Sequence, residues 1–217
     1  MPDVPRQIPA RLLVAAIQGH EADALLAQWG RAEDEGAARR HFRPQRRRQT
    51  MVGRALARQL VADAMGGTII ATAPSGRPLV PDHPELDLSI SHGGGWAACA
   101  LVTGGRIGID IEVARPDRDY AALAAAFFST PEIECVAQGG QSAFLALWTL
   151  REAWAKAVGG GLSAALGLNG NGLPALIGSG GGIMDSWILE HRPDPRFHLA
   201  LAWQPGPAVT PPAVAPP

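Results

Sequence analysis

The 217-residue sequence predicts an α+β fold, as one compact domain or two small halves, on three observations. Helical and strand-like periodicities occur on both sides of a weak boundary near residues 104–106. A composition of 47% hydrophobic and 18% charged residues supplies a sizeable core. Gly 26 and Pro 19 punctuate the chain, yet much of the proline lies at its ends. The expected division is residues 1–105, residues 106–204, and a disordered proline-rich tail over 205–217.

In chain order, EADALLAQW (21–29) predicts a first helix. A longer helix is expected over 46–64, with Val52, Leu56 and Leu60 on one stripe and Met51 and Ala55 beside it. Residues 68–73 read as a short strand, and PSGRPLVPDHPE as a turn region. Strands follow at 88–91 and 96–103, split by Gly93, Gly94 and Gly95, and again at 107–113. Residues 119–128 are alanine-rich, after which Thr130 is placed to cap a helix with Pro131 at its first position. The strongest helical pattern, 142–158, ends at Gly159-Gly160-Gly161, and residues 186–190 and 197–203 read as late antiparallel strands.

Composition narrows the function classes. Nineteen cations and 20 acids leave a net charge of −1, against a broadly basic nucleic-acid binder. Cys99 and Cys135 lack CxxC spacing, so buried thiols in a reducing compartment are expected. The start, MPDVPRQIPARLLVAAIQG, is unlike a signal peptide, and no apolar run approaches ~18 residues. A soluble cytoplasmic protein is the expectation.

Five groups of residues carry possible chemistry. In GIDIEV, a period of two puts Asp110 and Glu112 on one strand face opposite Ile109, Ile111 and Val113. Two close carboxylates suit a hard divalent cation, although ordinary acids on a half-exposed strand read the same way. Glu152 and Lys156 are helix neighbours at i,i+4, and as an isolated ion pair would contribute ~0.3–0.5 kcal/mol. Lys156 is nonetheless the one lysine among 19 cations, which hints that a compact point charge is wanted there. Arg39, Arg40, Arg43, Arg46, Arg47, Arg48, Arg54 and Arg58 fall within twenty residues that contain no acid. They predict a local anion site, or alternatively arginines covering a helix start. Arg77, in Gly76-Arg77-Pro78, fits a phosphate-facing turn or a plain surface turn. His92 follows Ser91 at a strand end, where it reads as a site residue or a turn histidine. GxSxG, GxGxxG and GxxxxGK[ST] patterns do not occur.

Taken in order, Gly76-Arg77-Pro78, LSISH ending at His92, GIDIE (108–112), FFSTPE (127–132) and WTLREAWAKAVGGGL (148–162) closely resemble the Sfp-like, two-lobed 4′-phosphopantetheinyl transferases. The resemblance spans roughly residues 46–162. It implies two similar α/β lobes with a cleft between them. It also implies transfer of the phosphopantetheine arm of coenzyme A to a serine of an acyl, peptidyl or aryl carrier protein, with release of adenosine 3′,5′-bisphosphate.

By the family pattern Asp110, Glu112 and Glu152 hold Mg²⁺, Glu152 accepts the serine proton, and Lys156 and His92 serve the pyrophosphate. Arg77, Arg48 and Arg43 are the corresponding coenzyme-binding cations. The arginine helix is out of the family's register: Gln49 stands four residues before Gly53, and Arg48 five. Acidic carrier helices are expected to approach the arginine-rich region and Phe127 and Phe128. The chain is expected to act as a monomer, without nucleic acid or membrane. The other enzyme-free reading is a non-catalytic coenzyme A or carrier-binding module.

Overall fold

The computed structural model describes residues 10–39, 41–66 and 69–206. The chain runs β1 (Arg11–Ala16), α1 (His20–Trp29), α2 (Ala32–Arg39), α3 (Pro44–Met65), β2 (Ala71–Thr72), β3 (Pro78–Leu79), β4 (Leu86–Gly93), β5 (Trp96–Thr103) and β6 (Gly105–Glu112). It continues with α4 (Tyr120–Phe127), α5 (Thr130–Val158), α6 (Gly161–Gly167), a 3-10 turn (Gly170–Gly172), α7 (Leu173–Ser179), β7 (Gly181–Met184), β8 (Trp187–Asp194) and β9 (Phe197–Pro205). The mixed helix and sheet content agrees with the α+β expectation.

Two larger antiparallel sheets organise these elements, one ordered β1-β5-β4 and the other β6-β9-β8-β7, beside the two-stranded β2-β3. Alternation along β5 sends Ala97, Cys99 and Leu101 into a core with Val52, Leu56 and Leu60 of α3. Ala98, Ala100 and Val102 point the other way, into a core shared with Ile107, Ile109 and Ile111 of β6 and Leu199 and Leu201 of β9. On the far side, Ala200 and Ala202 of β9 pack with Leu147, Leu150, Ala153 and Ala157 of α5. The stripe read from the sequence of α3 is the face that covers the first sheet.

Several sequence expectations change. The 68–73 strand contracts to β2, and Thr68 lies outside the described residues. Strand β4 continues through His92 and Gly93, which pair with Ala97 and Trp96, so the turn is left to Gly94 and Gly95. Gly93 belongs in the strand because a Cβ there would collide with the Ile111 carbonyl of β6. Ser129, rather than Thr130, caps α5, with Pro131 in the first turn; Glu132 accepts from the Ser129 amide at 2.9 Å. The helix therefore begins twelve residues before 142 and bends at Gly140, where φ is 59° and ψ is −143°. Residues 207–217 lie outside the described residues, whereas Pro205 is the last residue of β9.

Buried ion pairs pin the two long helices. Arg151 of α5 donates to Glu132 at 2.8 and 2.6 Å and to the carbonyls of Ala165 and Leu168, fastening α6 beneath α5. Burial opposes ionisation of Glu132, but hydrogen bonds from Arg151 and Ser129 hold its carboxyl below the usual range. On α3, Arg54 and Arg58 converge on the fully buried Asp34 of α2.

Helix α5 lies directly on β6 at Gly108, where a Cβ would run into the backbone of Ala153 and Ala157. Gly108→Ala should consequently push α5 from the sheet, at about 1–3 kcal/mol for an overpacked contact. Urea denaturation is expected to show that loss; a midpoint equal to that of the wild type would contradict the close approach.

Candidate active site

The face of β6 turned toward α5 carries Asp110 and Glu112, and α5 brings Glu152 and Lys156 against it, one helical turn apart. Lys156 Nζ lies 2.6 Å from Asp110 Oδ1 and 2.8 Å from Ser91 Oγ. Ser91 itself donates to Asp110 Oδ1 at 2.7 Å. An ammonium has three donors, so one N–H of Lys156 remains for a ligand. Its side chain is 30% exposed while that of Asp110 is 6% exposed, which leaves the lysine as the accessible member of the pair. The other oxygen of Asp110, Oδ2, is buried without a hydrogen-bond partner.

The neighbouring carboxyls feel this crowding. Burial pushes Glu152 above its usual range, Asp110 adds to the shift, and Lys156 opposes it. Glu112 is likewise raised by burial and then by Asp110, against the pull of Arg115, Arg118 and Lys156. Sequence spacing alone leaves both as possible surface acids; the structure gathers them around one aspartate and one lysine.

Ser91 occupies its position through a row of side chains on β4. Asp87, Ser89 and Ser91 share one face by strand alternation and accept the outward amides of β6: Ile107 N at 2.8 Å, Ile109 N at 3.1 Å and Ile111 N at 3.4 Å. The period-two pattern of LDLSIS carries this signal, but nothing local in the sequence marks Asp87 or Ser89 as acceptors for another strand.

His92, next on β4, is half-buried, and its Nδ1 lies 3.0 Å from Arg46 Nη1. Burial lowers its proton affinity, and the positive charges of Arg46, Lys156 and His41 lower it further, against a backbone hydrogen bond that raises it. A pocket of ≈ 370 Å³ runs from Arg43, Arg46 and Gln49 past His92 to Glu112 and Arg115. A second, of ≈ 300 Å³, adjoins Lys156 between Arg77, Pro78, Ile90 and Gly159.

The remaining cations are more committed than the sequence suggested. Arg77 grips Asp87 with two nitrogens and donates to the carbonyls of Lys156 and Ile107, so it braces α5 and β6 while lining the second pocket. Arg48 is held by the Ile17 carbonyl and Asp23. Arg43 is the N-cap residue of α3 at the rim of the first pocket. The expectation that all eight clustered arginines form an anion site is corrected at Arg54 and Arg58, whose charges are met by Asp34. Burial opposes ionisation of Asp34, yet hydrogen bonds from Arg58 and Arg54 hold it below the usual carboxylate range. Arg40 lies outside the described residues. Phe128 is also corrected: it is buried and stacked on Phe144 at 4.9 Å, whereas Phe127 is exposed.

A family model described as the 4′-phosphopantetheinyl transferase superfamily matches residues 106–181, from β6 through α5 to the start of β7. A 4′-phosphopantetheinyl transferase of Bacillus subtilis is 32% identical over 154 residues, covering 67% of both chains. The chain belongs to the 4′-phosphopantetheinyl transferase family. HetI of Nostoc sp., also a 4′-phosphopantetheinyl transferase, is 31% identical over 143 residues, 61% of this chain and 60% of its own. The transferase Sfp of Bacillus subtilis strain 168 is 30% identical over 142 residues, 62% of each chain. The aligned stretches thus span about three-fifths to two-thirds of these three transferases. The superfamily match contains Asp110, Glu112, Glu152 and Lys156, while Ser91 and His92 lie before it on β4.

Glu112 and Glu152 titrate above an unfolded value near 4.5. Their contribution to stability is therefore full below that pH and is lost as pH rises through their folded values. Asp110→Asn removes the like charge and should lower both titrations, read by carboxyl ¹³C chemical shifts. Unmoved titrations would show that Asp110 is not their electrostatic neighbour.

Proposed function

We propose that the chain transfers the 4′-phosphopantetheine arm of coenzyme A to a serine of an acyl, peptidyl or aryl carrier protein, releasing adenosine 3′,5′-bisphosphate. The observation that carries this reading is the Ser91–Asp110–Lys156 cluster, with Glu112 and Glu152 around it, between two pockets on a chain of this family. Coenzyme A lies across those pockets, with Arg43, Arg48 and Arg77 on the nucleotide phosphates and His92 and Lys156 on the pyrophosphate. The two of these arginines that are paired with an acid, Arg48 and Arg77, contribute chiefly through their remaining donors and long-range charge.

Asp110, Glu112 and Glu152 are the residues that would hold a magnesium ion. Among the described residues no three His, Cys, Asp or Glu side chains stand close enough to hold a metal as they are. The partnerless Oδ2 of Asp110 and the raised proton affinities of Glu112 and Glu152 nevertheless mark a place where positive charge is wanted. Mg²⁺ held there would supply charge neutralisation for the pyrophosphate. Lys156 adds a point charge and a free N–H for the departing phosphate oxygen. Glu152 accepts the serine proton, a task suited to a carboxyl held above its usual range. The serine oxygen then bonds directly to the phosphorus of the phosphopantetheine while the bond to adenosine 3′,5′-bisphosphate breaks.

In this reading residues 1–105 and 106–204 are two similar lobes flanking a cleft, each with one sheet under one long helix, α3 or α5. The enzyme works as a monomer in the cytoplasm. No helix among the described residues is long and apolar enough to cross a membrane. A coenzyme A or carrier-binding module without turnover is not favoured, because the matched relatives are transferases.

Intact-mass analysis of acyl, peptidyl and aryl carriers with coenzyme A and Mg²⁺ tests the proposal. At least one class should gain the mass of a phosphopantetheine group, and EDTA should abolish the gain. No gain in any class would overturn the reading. Glu152→Gln should slow transfer by about a hundredfold or more; a wild-type rate would remove Glu152 from the proton transfer.

A further inference from the structure

We propose that Arg46 is a positioning residue for His92: it fixes the imidazole as a neutral ring protonated on Nε2, so that His92 presents one defined hydrogen-bond donor to a phosphate oxygen. The inference rests on the coenzyme A reading for the identity of the ligand. It rests on geometry for the role of Arg46.

A guanidinium has five N–H donors and no acceptor. With Arg46 Nη1 at 3.0 Å, His92 Nδ1 must therefore be the accepting nitrogen, and the ring proton resides on Nε2. An imidazolium would place N–H against N–H. The Arg46 contact is made at Nδ1, on the opposite side of the ring from the Nε2 edge offered to a ligand. His92 forms a wall of two adjoining pockets, one containing Arg46 and Glu112, the other containing Arg54, Thr72 and Pro78.

The surroundings reinforce the geometry. Strand β4 carries His92, α3 supplies Arg46, α5 supplies Lys156, and His41 precedes α3; all three side chains disfavour a charged ring that burial already opposes, and together these outweigh a backbone hydrogen bond that favours it. Glu112, from β6, is the acid that shares a pocket with His92. Arg46 itself sits in the first turn of α3, three residues beyond its N-cap, Arg43. Anchored there, it reaches the histidine without needing a burial site of its own. Arginine at position 46 thus acts through another side chain, in contrast to the direct phosphate contact expected of the cluster as a whole.

Long-range ¹H–¹⁵N NMR of the wild-type protein should show His92 with an unprotonated Nδ1 and a protonated Nε2. Arg46→Met should mix the tautomers and weaken coenzyme A binding, measured by calorimetry without metal, by about tenfold, the worth of one charge-assisted hydrogen bond. Arg46→Lys, which keeps a donor, should restore both. A His92 tautomer unchanged in Arg46→Met would overturn the proposal, whether or not affinity falls, since lost affinity alone would make Arg46 a direct ligand. Absence of coenzyme A binding by the wild type would count against the functional reading, while the tautomer measurement would still decide the role of Arg46.

Discussion

The outer edge of strand β6, with which no strand among the described residues forms a backbone ladder, holds this molecule together. Strand β6 borders the second sheet, and the amides of Ile107, Ile109 and Ile111 point away from β9. Buried donors without acceptors cost about 1–3 kcal/mol each, more than a typical made hydrogen bond returns. Asp87, Ser89 and Ser91 of β4 meet all three. This row of short side chains does the work of a ladder while leaving the two sheets distinct. It also sets their register, because each acceptor on β4 is matched to one alternate residue of β6.

The site inherits that register. Ser91 spends its lone pairs on the Ile111 amide and the Lys156 ammonium and its proton on Asp110, so the last rung of the row is also the hub of the charged cluster. At the other end, Asp87 receives Arg77, which continues to the carbonyls of Lys156 and Ile107. The helix bearing Glu152 and Lys156 is thereby held at its C-terminal end, and the Gly108 contact lets its backbone approach β6 closely. The resulting crowding of three carboxyls around one lysine is unfavourable in isolation. It is what makes the site receptive to further positive charge and gives Glu152 an elevated proton affinity.

Legibility in the sequence followed the range of the signals. The α3 stripe, the apolar run of β5 and the glycine stop after Val158 depend on residues close in the chain, and each is readable. Strand β1 is not legible because RLLVAA has no alternation; its identity comes from pairing with β5, 80 or more residues away. Helix α2, AEDEGAAR, is polar with an internal glycine and owes its place to Asp34 meeting Arg54 and Arg58. The same pairing explains why an acid-free run of arginines is only partly an anion surface: the neutralising acid precedes the run and folds onto it. Asp110, Glu112, Glu152 and Lys156 stand out from spacing and residue type; Asp87 and Ser89 do not, and Arg46 does so only as one of the clustered arginines, since the importance of these three lies in what they touch across the fold.

The β4 side-chain row sets the register of the charged cluster, and Ser89→Ala tests this most directly because Ser89 is buried and its hydroxyl accepts from the Ile109 amide with no hydrogen bond to Asp110, Glu152 or Lys156. Hydrogen exchange at the Ile109 amide and the rate of phosphopantetheine transfer are measured on the same variant. Faster exchange together with slower transfer is the predicted result. Faster exchange with transfer at the wild-type rate would show that the row holds the sheets together but does not set the site.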